Sequence, residues 1–131
     1  MAWFETNGIR VGGIGVDCRD LDRQVRFWTS ALGYEVKDRG SDFALLRHPA
    51  GAGPKLHLQR VPARTASGNR VHLDLYAVDA SRVVEWLSSL GAHRVGRRRD
   101  DGESWFVMRD PEGNMFNVIT AGPEGFASPF I

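Results

Sequence analysis

The chain has 131 residues, close to the commonest size of a single domain, and 42% of them are hydrophobic, which is enough to form a buried core. Its 17 basic and 16 acidic residues give a formal net charge of +1, a balance that does not favour binding to nucleic acid or to an anionic membrane. The absence of a long apolar run and of a signal-peptide pattern predicts a cytoplasmic protein without a membrane span, and the single cysteine, Cys18, excludes an internal disulfide.

The first half of the sequence predicts a strand, a helix and three further strands. Ile9–Val16 alternates apolar residues with glycine, which indicates a strand. Asp20 is then a suitable N-cap for a helix whose apolar residues recur at helical spacing, and Gly33 is suited to end it. Three short strands are predicted to follow, at 34–37, 43–47 and 55–61.

The second half repeats this order of elements after a connector at 61–69 that is rich in turn-forming residues. The segment 70–76 alternates as a strand does, and Asp79 begins a helical pattern that runs to Leu90 before Gly91. Strands are predicted around 93–96, 104–109 and 115–120, and the remaining residues, 121–131, are expected to be an irregular tail.

The two halves also match residue by residue. Trp28 and Trp86, like Gly33 and Gly91, are 58 positions apart, and the turns His48-Pro49-Ala50-Gly51 and Asp110-Pro111-Glu112-Gly113 are 62 apart. Such internal similarity indicates one supersecondary unit present twice. We therefore predict a single domain, 1–131, with module one at about 9–61 and module two at about 70–120.

Two of the predicted strands separate polar from apolar residues onto opposite faces. We expect the apolar faces to pack against the helices, together with the aromatic residues Phe27, Trp28, Trp86 and Phe116. The polar faces are expected to converge on a common cavity. The apolar sets are Leu56 and Leu58 in one strand and Val71, Leu73 and Leu75 in the other; the polar sets are Lys55, His57 and Gln59, and His72, Asp74 and Tyr76.

Four arginines, Arg94 and 97–99, form the one local concentration of charge. They run into Asp100-Asp101-Gly102, which combines compensating charge with turn-forming residues. A solvated hairpin tip is therefore the expected structure, and an anion site is the less favoured alternative.

Four segments of the sequence carry recognisable motifs: Phe27-Trp28, Leu32-Gly33-Tyr34, the segment from Asn69 to Leu75 and the segment from Asp110 to Val118. They resemble those of the glyoxalase/bleomycin-resistance/extradiol-dioxygenase superfamily, also called vicinal oxygen chelate proteins, and in particular its glyoxalase-like subgroup. The resemblance covers nearly the whole chain. It implies an α+β fold in which two βαβββ modules form curled mixed sheets around a cup, and it implies a homodimer.

The resemblance also implies four inward positions, at which metal-using relatives bind a divalent ion. In this chain they are Gly13, His57, His72 and Asn117. Only His57 and His72 are ordinary metal ligands, because glycine has no ligand atom and the amide of Asn117 is neutral. A divalent metal ion at His57 and His72 is thus the cofactor left open, with no other cofactor indicated.

The favoured function is binding of a small organic molecule in the cup, with His57, Gln59, Tyr76, Trp105 and Asn117 as ligand-binding residues. If the protein is an enzyme, the resemblance implies a lyase or isomerase that acts beside a carbonyl, with His72 as general base and Asp74 as the residue that orients it. The alternative is a metal-free drug-sequestering protein of the bleomycin-resistance type. An extradiol dioxygenase is less favoured, because Asn117 and Gly13 do not provide the carboxylate that Fe(II) requires.

Overall fold

The computed structural model describes residues 8–62, 70–100 and 103–120. Their elements follow the order βαβββ twice, which confirms the predicted α+β fold of two such modules. In chain order they are β1 (Ile9–Cys18), α1 (Leu21–Leu32), β2 (Glu35–Arg39), β3 (Phe43–Arg47), β4 (Lys55–Arg60), β5 (Val71–Ala77), α2 (Ala80–Ser89), β6 (His93–Asp100), β7 (Glu103–Arg109) and β8 (Met115–Thr120).

The chain divides into two compact units, and the division falls inside β1, between Gly12 and Gly13. We call Gly13–Val71 the first unit. The second unit consists of the described residues of Met1–Gly12 and His72–Ile131. Each unit therefore contains one βαβββ module, except that the first residues of β1 belong to the second unit. The predicted single domain and its module limits stay predictions.

In the first unit, the strands lie in the order β2-β3-β4-β1, with β1 parallel to β4 and the other neighbours antiparallel. Helix α1 packs on one face of these strands, because its apolar side recurs every three or four residues. The buried core between them consists of Cys18, Leu21, Val25, Ala44, Leu46, Leu56 and Leu58.

The second unit has the same topology, with strands in the order β6-β7-β8-β5 and with β5 parallel to β8. Helix α2 covers one face, as α1 does in the first unit, and the strands of each unit combine parallel with antiparallel pairing, as predicted. The buried core consists of Ala77, Ala80, Val83, Val84, Phe106, Met108 and Val118.

Both helices begin at the predicted caps. The carboxylates of Asp20 and Asp79 accept hydrogen bonds from the backbone N–H groups of Arg23 and Arg82, at 3.1 and 3.2 Å. Gly33 ends α1 with a φ of 67°, in the left-handed region that glycine adopts without strain. Helix α2 ends at Ser89, slightly earlier than predicted.

Arg94 and the arginines at 97–99 are exposed, as predicted, but they are strand residues, because β6 continues through them and pairs with β7 as far as Asp100. Two expectations about core residues are wrong. Phe27 and Trp86 are 57% and 42% exposed, because each helix buries only a narrow stripe of residues in its first half. Val71 and Leu73, which were also expected to pack against a helix, are exposed.

Two other predictions lie outside the described residues: the irregular tail at 121–131 and most of the connector, at 63–69. Within the described ranges, no helix is long and apolar enough to cross a membrane.

Candidate functional site

Several polar side chains of the second unit lie on the sheet face opposite α2. His72, Asp74 and Tyr76 lie on it because they alternate along β5 with residues of the other face. Asp74 is only 8% exposed, although a carboxylate is rarely buried unless it is paired. We call this surface the second-unit face and define it by His72, Asp74, Tyr76, Trp105 and Asn117.

The buried carboxylate of Asp74 is bound through one oxygen. Asp74 and Asn117 are direct neighbours across β5 and β8, and the amide Nδ2 of Asn117 donates to Oδ1 of Asp74 at 3.0 Å. The Nε2 atom of His72 lies 3.4 Å from the same oxygen, an ion-pair distance when the imidazole is protonated. In the described part of the chain, Oδ2 of Asp74 and Oδ1 of Asn117 have no hydrogen-bond partner.

Tyr76 continues the same face and is almost fully buried. Its ring lies directly against Gly12 of β1: a Cβ atom at Gly12 would come within 2.2 Å of the ring. Arg10 lies nearby, and burial lowers the pKa of its guanidinium while Tyr76 partly offsets that shift. Sequence reasoning missed Gly12, because a glycine that accommodates a ring in space has no signal of its own in the sequence.

Trp105 projects from β7 onto the second-unit face, two strands away from Asp74. Its cross-strand neighbours are Ile119 on β8 and Arg98 on β6. The indole is half-buried, and its N–H has no hydrogen-bond partner among the residues that the structure describes. The sequence indicated Arg98 only as one of four clustered arginines, because only the β6–β7 register places it beside Trp105.

The corresponding face of the first unit, the first-unit face, is defined by Gly13, Gly15, Phe43, His57 and Gln59. His57 lies opposite Gly15 on β1 and Leu45 on β3. The rings of His57 and Phe43 meet edge to face with their centroids 6.0 Å apart. Gln59 donates to the backbone carbonyl of Asp42 at 3.2 Å, at the end of the strand. The structure thus places His57 and Gln59 in the first unit, and the predicted catalytic residues in the second.

The described side chains do not fit a divalent metal site. No three His, Cys, Asp or Glu side chains lie together anywhere in the described ranges, whereas a catalytic ion usually has three protein ligands. On the second-unit face, His72 and Asp74 are two potential ligands, and the amide nitrogen that Asn117 turns toward Asp74 is not a metal ligand. The chemistry considered below therefore uses no metal.

The turn between β7 and β8 is stabilised by Asp110. Its carboxylate accepts hydrogen bonds from the side chain of Asn114 at 3.0 Å and from the backbone N–H groups of Asn114 and Glu112, both at 2.9 Å. These bonds favour the ionised form and lower the pKa of Asp110, with the side chain of Asn114 as the largest cause. This carboxylate is structural, because its oxygens are occupied by the turn itself.

Comparison with protein families now identifies the class. The family model of the glyoxalase-like domain matches residues 13–119. The chain belongs to the glyoxalase-like domain family, which confirms the resemblance of its motifs. No curated protein matches the sequence significantly.

Solved structures support the same fold. A glyoxalase/bleomycin resistance protein/dioxygenase superfamily member from Vibrio splendidus 12B01 is 18% identical, with a TM-score of 0.62 over 86% of this chain and 98% of that one. A methylmalonyl-CoA epimerase from Streptomyces coelicolor is 21% identical, with a TM-score of 0.62 over 85% and 96% of the two chains. A hypothetical protein from Bacillus halodurans C-125 is 11% identical, with a TM-score of 0.66 over 88% and 96%. At these identities the similarity concerns the fold alone.

Proposed function

We propose that this protein binds a small organic molecule on the second-unit face and moves a proton beside a carbonyl group of that molecule, as a lyase or isomerase does. The observation that carries the proposal is the state of Asp74: a buried carboxylate fixed through Oδ1, with Oδ2 unpartnered within the described part of the chain. A positioned carboxylate with one open oxygen is suited to act as a general base.

In the proposed step, Oδ2 of Asp74 accepts the proton. A proton leaves the carbon next to the carbonyl for this oxygen, and the electron pair of the broken C–H bond forms the enolate. Return of the proton from Oδ2 to the same face of that carbon regenerates the substrate, and return to another atom completes an isomerisation.

In this proposal His72 and Asn117 position the base. Asn117 prevents rotation of the carboxylate through its 3.0 Å bond to Oδ1, and His72 faces the same oxygen. This exchanges the roles predicted from the sequence, in which His72 was the base and Asp74 oriented it. One protein of the same fold is an epimerase, and inversion beside a carbonyl requires such a proton transfer.

The test is exchange of carbon-bound hydrogen with solvent deuterium, followed by proton NMR. The panel consists of 2-oxobutyrate, phenylpyruvate, methylglyoxal and a propanoyl thioester of N-acetylcysteamine. We expect enzyme-dependent exchange for at least one compound, and we expect Asp74→Asn to lower its rate by about 100-fold or more, the usual contribution of a general base. Asparagine has the same shape and keeps an oxygen that can accept from Asn117.

Glu85→Gln is the matched control, since it removes one carboxylate from an exposed position on α2 of the same unit. Its exchange rate should stay within twofold of the wild type. Equal rates for the wild type and Asp74→Asn with every compound would contradict the proposal. Saturable binding of a panel compound without exchange would instead support the alternative, a sequestering protein.

We also propose that the chain forms a homodimer and acts in the cytoplasm. Exposed apolar side chains on the strands of the second unit, Val11 and Leu73, support an association surface, because contiguous apolar exposure often marks one. Sedimentation velocity should give twice the mass of one chain. Leu73→Glu should shift the protein to the monomer, and a wild-type monomer at all concentrations would contradict this.

A further inference from the structure

We propose that the second-unit face contains a subsite for an anionic group, formed by Arg98 beside Trp105. The ligand would then be an organic acid with a flat or apolar body and a carboxylate or phosphate group at one end. This inference deepens the proposed function and rests on it for the position of the reacting carbon at Asp74. It depends on three observations. The indole N–H of Trp105 has no partner in the described part of the chain, the arginines of β6 lie on two different faces, and the matched positions of the first unit contain an aromatic ring and a glycine.

The side chain of Trp105 is half-buried, and its indole N–H lacks a hydrogen-bond partner in the described part of the chain. Indole N–H groups usually have a hydrogen-bond acceptor when they are buried. None exists for Trp105 in the described part of the chain, and its ring makes no aromatic or cation contact there. An anionic ligand oxygen would satisfy the N–H, and an apolar ligand body would cover the ring.

The arginines of β6 point to two different faces. Arg94 and Arg97 lie over the ring of Phe106 on the α2 side, with Cζ atoms 4.8 and 5.2 Å from its centroid. Arg98 alternates with Arg97 and is the cross-strand partner of Trp105, so it lies on the second-unit face. Arg98 is exposed and has no ion pair or ring contact in the described ranges.

In the first unit, the two positions that match Trp105 and Arg98 have no polar side chain. Phe43 takes the place of Trp105, and Gly40 takes the place of Arg98, as the backbone bond from Gly40 N–H to the Phe43 carbonyl shows. A Cβ at Gly40 would come within 2.4 Å of the Phe43 ring, which also contacts His57. An aromatic ring folded onto a glycine leaves no polar group open, whereas Trp105 with Arg98 offers an N–H and a cation.

The sheet geometry sets the size of the ligand. Asp74 lies on β5 and Arg98 on β6, three strand spacings apart, and the registers place Arg98 level with Tyr76, two residues from Asp74. The separation is about 16 Å at ~4.8 Å per spacing and ~3.3 Å per residue. Trp105 lies between them on β7. Because an arginine side chain can bend several ångströms back over the sheet, the distance suits a two-ring or similarly long acid whose carbonyl end lies at Asp74.

The test uses naphthalene-2-acetate, its neutral analogue naphthalene-2-acetamide, and 2-naphthyl phosphate. The readout is the ¹H–¹⁵N signal of the Trp105 indole, which is assigned by its loss in Trp105→Phe. We expect saturable shifts with at least one of the two anions, and at least fivefold weaker binding of that anion in Arg98→Ala. Binding of the acetamide should not change. Tighter binding of the phosphate than of the acetate would identify a phosphate ester as the ligand class. Tighter binding of the acetate would identify a carboxylic acid.

Arg99→Ala is the matched control, because it removes the same charge from the neighbouring position on the opposite face of β6. Its affinity for the anion should stay within twofold of the wild type. Equal losses in Arg98→Ala and Arg99→Ala, equal affinity for acid and amide, or an unmoved indole signal would each overturn the inference. Asp74→Asn should retain anion binding, so a failure of the proton-transfer proposal is distinguishable from a failure of the subsite.

Discussion

The two units have the same backbone but use their open sheet faces differently. In the first unit, His57 is opposite Gly15, and Phe43 packs on His57 and Gly40. In the second unit, Asn117 is opposite Asp74 in the same register. The first-unit face is therefore occupied by its own aromatic ring, and the second-unit face presents a bound carboxylate with one open oxygen.

The cores differ much less than the faces. Buried positions keep apolar residues of similar size in both units, such as Val25 and Val83 in the helices and Leu58 and Val118 in the last strands. Packing restricts residues that point toward a helix, because a change of even one methylene affects a close-packed core. Residues on the other face are free of that restriction, so a duplicated module can change its chemistry there.

The largest effect is expected in the core, where the two units should respond alike. Leu58→Ala removes a fully buried side chain from the first unit and should lower the free energy of unfolding by about 2–5 kcal/mol. Val118→Ala, at the matched position, should cost less, because it removes fewer buried atoms. Urea denaturation measures both. A cost below about 1 kcal/mol for Leu58→Ala would mean that the core is not packed as described.

Gly12→Ala tests the fit of Tyr76 on the second-unit face. The added Cβ would overlap the ring, so we expect a loss of about 1–3 kcal/mol in the free energy of unfolding. Gly96→Ala is the control, because a Cβ there meets no atom within 4 Å; its cost should be within about 0.5 kcal/mol of zero. Equal costs would show that Tyr76 does not lie against Gly12.

Substitutions at matched polar positions sharpen the comparison. Asn117→Ala removes the bond that orients Asp74, so we expect the deuterium-exchange rate to fall about tenfold, equivalent to ~1.4 kcal/mol. His57→Ala, at the equivalent position of the first unit, should leave the rate within twofold. Both rates come from the NMR assay above. A greater loss of exchange rate in His57→Ala than in Asn117→Ala would contradict the proposal, because it would indicate a reaction site in the first unit.

The smallest effect concerns the turn after β7. Hydrogen bonds lower the pKa of Asp110, so its ionised form stabilises the folded state. That stability is present above the unfolded pKa of about 3.9 and is lost as the pH falls through the lower folded pKa. Thermal unfolding should therefore occur at a lower temperature for Asp110→Asn than for the wild type at pH 7, and the difference should shrink below pH 4. A constant difference at all pH values would contradict the role of the charge.

Much of the fold could be predicted because its signals are local. Asp20 and Asp79 mark helix starts within a few residues of the sequence, and the repeated turns fix where strands reverse. Local patterns do not show how much sheet a short helix covers. The exposure of Phe27 and Trp86 was therefore not predicted.

The candidate site could be predicted only as a set of residue types. Alternation correctly placed His72, Asp74 and Tyr76 on one face of β5. The contact between Asp74 and Asn117 joins residues 43 positions apart, and it depends on the exact β5–β8 register. Sequence patterns do not define that register, so neither the open oxygen of Asp74 nor the pairing of Trp105 with Arg98 could be foreseen.

The most direct test of the account is a map of backbone and side-chain NMR shifts on titration with the tighter-binding naphthyl anion. We expect the largest changes at Trp105 and Arg98, with smaller ones at Asp74 and Asn117. Phe43 should not move. Shifts concentrated on Phe43 and His57, with an unchanged second-unit face, would contradict it.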